Sequence, residues 1–253
     1  MITAAALCPS PPLLAREVTG RDPVIPELRQ ACAEAVRRLV RCEPDVIAVV
    51  GPASATARWP AGRRLDLSAF APQAAAAPTG HPPLPLPLGL GSRLLDQAGY
   101  AGPRLLEAVG YDEPSAGCVA LGDRIAASGG RVGLLIMADG SARRGPRAPG
   151  YLDERAAAFD AAVEDAVRDG DLAALLGIDP VLARDLLAAG RPAWQVLAGA
   201  VRPQIPAGAV PGELPAGAVP GQPAAAEILY SGDPFGVAYL VAWIPGPARK
   251  PVG

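Results

Sequence analysis

The sequence is poor in imidazole groups: one of its 253 residues is a histidine, His81. A metal site built from several histidines is therefore excluded, and so is a Ser-His-Asp triad unless His81 takes part in it. His81 lies in Gly80-His81-Pro82-Pro83, at the start of a proline-rich stretch. In such a context an exposed loop residue is more common than a catalytic base.

Several other features are missing. The formal charge is -2 and there is no basic block, which argues against a nucleic-acid partner. No apolar stretch reaches the ~18 residues of a membrane span, and no basic region precedes the first apolar segment as in a signal peptide. No CxxC spacing occurs, so we expect a cytoplasmic protein with reduced, mostly buried thiols. The four cysteines are Cys8, Cys32, Cys42 and Cys118.

The composition is that of a globular chain, since 50% of the residues are hydrophobic. Only 4% are aromatic and alanine is abundant, so the helices must pack through small side chains. The length suits one large domain or two small ones. We expect one α/β domain over residues 1–253.

The chain is organised around residues 131–144, RVGLLIMADGSARR. The apolar run 132–137 shows no polar alternation, which is typical of a strand covered on both faces in an α/β sheet. Asp139, Ser141, Arg143 and Arg144 follow it. Ligands of open α/β sheets bind at the carboxyl ends of strands, so these residues are site candidates. The alternative is a solvated turn in which Asp139 and Ser141 bond local backbone.

Two further apolar runs, residues 2–7 and 45–50, predict buried strands, and residues 23–41 between them predict an amphipathic helix. Strand, helix and strand in this order indicate parallel pairing. We therefore predict a central, mostly parallel mixed sheet flanked by helices. In it these two strands and the 132–137 strand should be neighbours.

The other elements follow from periodicity and from glycine and proline positions. Residues 64–68 are a candidate strand, residues 78–87 a proline-rich non-helical loop, and residues 104–109 a short apolar segment. Helices are expected over residues 91–98, 116–128, 153–168 and 191–200, with shorter ones starting near residue 170 and running from Asp179-Pro180 to residue 187. Residues 227–230 and 236–243 flank a turn and predict a C-terminal antiparallel hairpin.

Residues 206–223 contain a tandem repeat, PAGAVPGEL followed by PAGAVPGQP. Prolines at this spacing exclude a helix or a central strand. We expect a Pro/Gly-rich surface loop, and deletion of one copy should leave the melting temperature nearly unchanged. A proline-rich docking segment is the less favoured alternative, because no PxxP core with flanking basic residues is present.

Six segments occur in the order of a known superfamily. They are LCPSPPLL, DVIAVVGPAS, MADGSARR, YLDERAAAFDAAV, DPVLARDLLAAGRPAWQVLAGA and ILYSGDPFGVAYLVAWI. Together they resemble the LigB-like superfamily, which comprises class III extradiol ring-cleavage dioxygenases of the catalytic-subunit type and the related Memo-like proteins. The resemblance covers almost the whole chain, and PFGVAYLVA and the DGS-R-R loop are its more specific parts. It implies ferrous iron at the strand ends, held by histidines that follow the first two strands, and an acid-base histidine after the central strand.

The matching positions of this sequence lack those histidines. Ser10 stands at the first, Ser54 or its neighbour Ala53 at the second, and Ala142 at the third. Gly190-Arg191 replaces a Glu-Cys-like pair of many relatives. A neutral hydroxyl is a poor ligand for a divalent transition metal, so we expect the scaffold to have no iron cofactor.

Three hypotheses for the function stay open on this basis. The first is a metal-free LigB-like binding or regulatory protein, and the second is an active dioxygenase with an unconventional site. The third is a metal-independent enzyme that uses Cys8, Ser10 or Asp139. The first is favoured, because one histidine cannot supply a two-histidine, one-carboxylate iron site. The expected partner is a small anionic or aromatic molecule, with no nucleic acid or membrane, and the oligomeric state is open.

Arginine near a strand end suits a carboxylate or a phosphate, so the pocket is predicted to be an anion-binding cleft. The alternative is that Asp139 only neutralises Arg143 or Arg144. The pocket candidates are Cys8, Ser10, Ser54, Asp139, Ser141, Arg143 and Arg191.

Overall fold

The computed structural model describes residues 1–21, 24–74, 80–202 and 225–246. The 206–223 repeat lies outside these residues. The strands are β1 (Ile2–Cys8), β2 (Val46–Ala53), β3 (Ala57–Trp59), β4 (Arg104–Gly110), β5 (Val132–Met137), β6 (Glu227–Gly232) and β7 (Tyr239–Pro245). The helices are α1 (Arg16–Thr19), α2 (Pro26–Arg41), α3 (Leu86–Gln97), α4 (Ser115–Ala126), α5 (Arg155–Asp169), α6 (Leu172–Leu176), α7 (Pro180–Asp185) and α8 (Arg191–Val201).

The seven strands form one mixed sheet in the order β3-β4-β2-β5-β1-β7-β6. The four central strands, β4, β2, β5 and β1, are parallel, and β3, β7 and β6 join antiparallel. The predicted α/β class, the three neighbouring strands and the C-terminal hairpin are thus confirmed. Strand β5 lies between β1 and β2, so those two strands are parallel to each other without pairing directly.

Strand β5 shows why the sheet is buried on both faces. All six of its residues are buried. Leu134 and Ile136 pack with helices α4, α5 and α8, while Leu135 and Met137 pack with α2 and α3. Successive side chains of a strand point to opposite faces, so an apolar run without alternation stabilises both layers. Each such side chain contributes about 1.5–3 kcal/mol on burial.

Helices α4 and α8 approach each other closely because small residues face each other there. A Cβ added at Gly122 would lie 2.5 Å from backbone atoms of Val196 and Ala200. One added at Gly199 would lie 2.8 Å from the Cα atom of Val119. This agrees with the expectation that an alanine-rich chain packs its helices through small side chains.

Several predicted boundaries were wrong around residues 57–110. Residues 64–68 are not a strand, because their only bridge joins Leu65 to Leu84. Helix α3 begins at Leu86 and includes Pro87, so the proline-rich loop ends earlier than predicted. Proline is tolerated there because the first turn of a helix needs no intrahelical N–H donor. Residues 104–109 belong to a central strand, β4.

Strand β3 was not predicted, since its three residues carry no apolar run. It pairs with β4 in the register Arg58 opposite Glu107, and the Arg58 guanidinium binds the buried Glu107 carboxylate at 2.6 Å. The helices predicted to start near residue 170 and at Asp179-Pro180, in contrast, are present as α6 and α7. The side chains of Asp171 and Asp179 accept backbone N–H bonds at the starts of α6 and α7.

Candidate functional site

A cleft of about 610 Å³ opens at the edge of the sheet where β1, β2 and β5 end. This size is within the usual range for small-molecule sites. Parallel strands place their carboxyl ends at one edge, so polar residues that follow different strands meet there. Three predicted residues line the cleft: Ser10, Ser54 and Asp139.

The floor of the cleft is a hydrogen-bonded pair, Ser10 and Asp139. Strands β1 and β5 pair with Cys8 opposite Met137, so each residue of the pair lies two positions past its strand. The backbone N–H of Ser10 donates to Asp139 Oδ1 at 2.7 Å, and its hydroxyl donates to Oδ2 at 3.0 Å. Ser10 is 2% exposed, whereas Asp139 is partly exposed to the cleft. The alternative of a solvated turn does not describe this pair.

The Asp139 carboxyl has an unusual environment. Its desolvation raises its pKa, and the two hydrogen bonds from Ser10 oppose that rise only in part. Low dielectric surroundings disfavour the charged form, so the carboxyl takes up a proton more readily than an exposed aspartate does.

Tyr239 completes the floor and was not predicted from the sequence. It is the first residue of β7, which pairs antiparallel with β1 and therefore begins at the edge where β1 ends. Tyr239 is 6% exposed and lines the cleft. Burial raises its pKa, and the nearby charge of Asp139 adds to the rise. Among the described residues its hydroxyl has no hydrogen-bond partner, which leaves it free for a ligand.

The walls of the cleft consist largely of aromatic and proline side chains. Three aromatic side chains line it besides that of Tyr239, namely Trp59, Phe70 and Tyr111. Six prolines line it as well: Pro11, Pro12, Pro52, Pro83, Pro85 and Pro87. The indole N–H of Trp59 is buried and has no acceptor among the described residues. Proline has no backbone N–H, so these walls offer apolar surface and few hydrogen-bond donors.

Two of the predicted pocket residues are directed elsewhere. Cys8 is fully buried beneath the floor and contacts the thiol of Cys32. The hydrogen bond between the two thiols, together with burial, raises the pKa of Cys32 well above its usual value. Ser141 is also fully buried and binds Asp160 of α5, through its N–H at 2.9 Å and its hydroxyl at 2.6 Å. Neither residue lines the cleft.

Arg143 and Arg144 lie away from the cleft as well. Arg144 binds Asp233 at 2.9 Å and lies 3.8 Å from Asp160, so Asp139 does not neutralise it. The Nε atom of Arg143 is buried and has no partner among the described residues.

Arg191 is 3% exposed and lies behind the Tyr111 wall. Its guanidinium donates to the carbonyl oxygens of Tyr111 (2.7 Å) and Glu113 (2.9 Å) and to Gln195 Oε1 (2.8 Å). It thus holds the segment that follows β4, and that segment carries the Tyr111 side chain. The expectation that arginine supplies positive charge to the cleft was therefore wrong. The direction of these side chains depends on packing that the local sequence does not encode.

The donor atoms at this edge do not fit the ferrous ion that the superfamily resemblance implies. Both oxygens of Asp139 accept hydrogen bonds from Ser10, and Ser54 offers an exposed hydroxyl. Ala142 contributes only backbone bonds, with Leu186 and Gly150. No cluster of three or more His, Cys, Asp or Glu side chains suited to a metal occurs in the described part of the chain. His81 is exposed.

Comparisons with known proteins bear on the fold. No family model and no curated protein matches this sequence. The chain is similar in structure to the uncharacterized protein JW3007 from Escherichia coli K12, with a TM-score of 0.53 and 13% sequence identity. The match covers 96% of this chain and 100% of that one. At this identity the similarity supports the α/β fold alone. Within the described residues, no helix combines the length and apolar character needed to cross a bilayer.

Proposed function

We propose that this chain is a LigB-like protein that has lost the iron site of that superfamily and binds a small aromatic molecule at the strand-end cleft. The observation that carries the proposal is the cleft itself, whose ring-lined walls end on the polar floor of Ser10, Asp139 and Tyr239. Flat apolar walls suit an aromatic ring, and a few polar groups at the floor fix its orientation.

The loss of the iron site is supported by the donors at the cleft. A catalytic metal site normally keeps three protein ligands, and the two serines at the expected histidine positions offer neutral hydroxyls. The carboxylate of Asp139 is engaged by Ser10 instead. An active dioxygenase with an unconventional site would need ligands from elsewhere, and a metal analysis of protein purified without chelators distinguishes the two. Stoichiometric iron or zinc that is lost in Ser10→Ala or Asp139→Asn would contradict the proposal.

Ligand binding is tested by titration calorimetry with phenol and benzyl alcohol. The parent protein should bind both, and Ser54→Trp, which fills the rim of the cleft, should weaken binding at least about tenfold. Ala162→Trp is the matched control, because Ala162 is exposed on α5 and does not line the cleft. If neither compound binds the parent, or if both tryptophan variants bind alike, the cleft is not the aromatic site.

A further inference from the structure

In the part of the chain that the structure describes, the ionisable side chains that line the cleft include an acid and no base. No lysine, arginine or histidine lines it among the described residues, and its one ionisable acid, Asp139, is at the floor. An anion that entered the cleft would lose water and meet no compensating positive charge, which is costly in a partly desolvated site.

Neutral donors are also scarce there. Oxyanions are commonly held by backbone N–H groups, but six lining residues are prolines and have none. The N–H and the hydroxyl of Ser10 are both donated to Asp139. Of the buried lining groups in the described part of the chain, the indole N–H of Trp59 and the hydroxyl of Tyr239 are the donors that stay unengaged.

The floor does offer acceptors. Each carboxylate oxygen of Asp139 takes one bond from Ser10 and has a further lone pair for a donor that approaches from the cleft. The Tyr239 hydroxyl both donates and accepts, and it lines the same cleft. A ligand hydroxyl or ammonium group matches this pair, whereas a carboxylate or a phosphate does not.

From this arrangement we infer that the cleft selects aromatic ligands that carry a neutral or cationic hydrogen-bond donor and rejects aromatic anions. The inference rests on the proposed function, because it assumes that the cleft binds aromatic molecules. It reverses the anion preference expected from the sequence, since the arginines that motivated that expectation lie outside the cleft.

The test compares three probes with the same ring: phenol, benzylamine and benzoate, titrated into the full chain at one ionic strength. Phenol and benzylamine should each bind at least about tenfold more tightly than benzoate. In Asp139→Asn the ratio of benzylamine to benzoate affinity should fall at least about tenfold, because the acceptor for the ammonium group loses its charge.

A second variant tests the inference independently, in case Asp139→Asn does not fold. Ser54→Arg places a cation at the exposed rim of the cleft and should invert the preference, so that benzoate binds better than benzylamine. If no probe binds the parent protein, the proposed function fails together with this inference. If benzoate binds as tightly as phenol, or if neither variant changes the ratio, the cleft binds aromatic molecules without selecting their charge, and this inference alone is overturned.

Discussion

Replacing Ser10 by alanine should destabilise the protein by an amount that depends on pH. The substitution removes the hydroxyl bond to Asp139 Oδ2 (3.0 Å) and keeps the backbone bond to Oδ1 (2.7 Å). A hydrogen bond contributes about 1.5–3 kcal/mol when one partner is ionised and about 0.5–1.5 kcal/mol when both are neutral. In a chain of 253 residues each kcal/mol corresponds to about 2–4 °C, so an ionised Asp139 predicts a loss of about 3–12 °C in melting temperature.

The direction of the pH dependence follows from the raised pKa of Asp139. A carboxyl whose pKa is higher in the fold than in the unfolded chain favours folding at low pH, and this contribution is lost as the pH rises through the folded pKa. The Ser10 hydroxyl offsets that loss, because it binds the ionised form more strongly. The cost of Ser10→Ala should therefore be larger at about pH 8 than at about pH 4.

Thermal unfolding across this pH range measures both effects. Ser54→Ala is the matched control, since Ser54 is exposed and its loss should change stability by less than about 0.5 kcal/mol. A cycle with Asp139→Asn isolates the coupling between Ser10 and Asp139. Equal shifts for the two alanine variants, or a cost of Ser10→Ala that is the same at every pH, would refute this account of the floor.

Two further substitutions test the contact between α4 and α8 and the segment that carries Tyr111. Gly122→Ala should cost about 2–3 kcal/mol, because its Cβ would lie 2.5 Å from the backbone of α8; thermal unfolding measures this, and Gly145→Ala, whose Cβ meets nothing within 4 Å, should have little effect. Arg191→Met removes the bonds to the carbonyls of Tyr111 and Glu113, so amide hydrogens of this segment should exchange about tenfold faster. Unchanged exchange there would show that Arg191 does not hold the wall.

Much of the fold follows from the sequence because its signals are local. The all-apolar run of β5 predicts a strand buried on both faces, and the aspartates before α6 and α7 predict their first turns. Strand β3 gives no such signal, since its position depends on the pairing of Arg58 with Glu107 in a distant strand. The start of α3 was missed because prolines are read as loop residues, although the first turn of a helix accepts them.

The candidate site was predictable only where parallel strands define it. Ser10 and Asp139 each follow a strand of one parallel pair, so strand order alone brings them within hydrogen-bond distance. Tyr239 reaches the same edge only because β7 runs antiparallel to β1, a pairing between the two ends of the chain. The directions of the Arg143 and Arg191 side chains depend on loop and helix packing instead.

The difference between these two kinds of signal has a chemical consequence. In the sequence, Arg143 follows Asp139 by four positions. This proximity led to the prediction that the cleft is positively charged and binds an anion. In the structure, by contrast, the lining groups that interact with Asp139 are Ser10 and Tyr239, and six prolines line the same cleft. Charge selectivity depends on which groups share a desolvated volume, because Coulomb interactions are strong there and are screened outside it. The preference of the cleft for neutral or cationic donors is therefore a property of the tertiary fold, and the comparison of phenol, benzylamine and benzoate measures it directly.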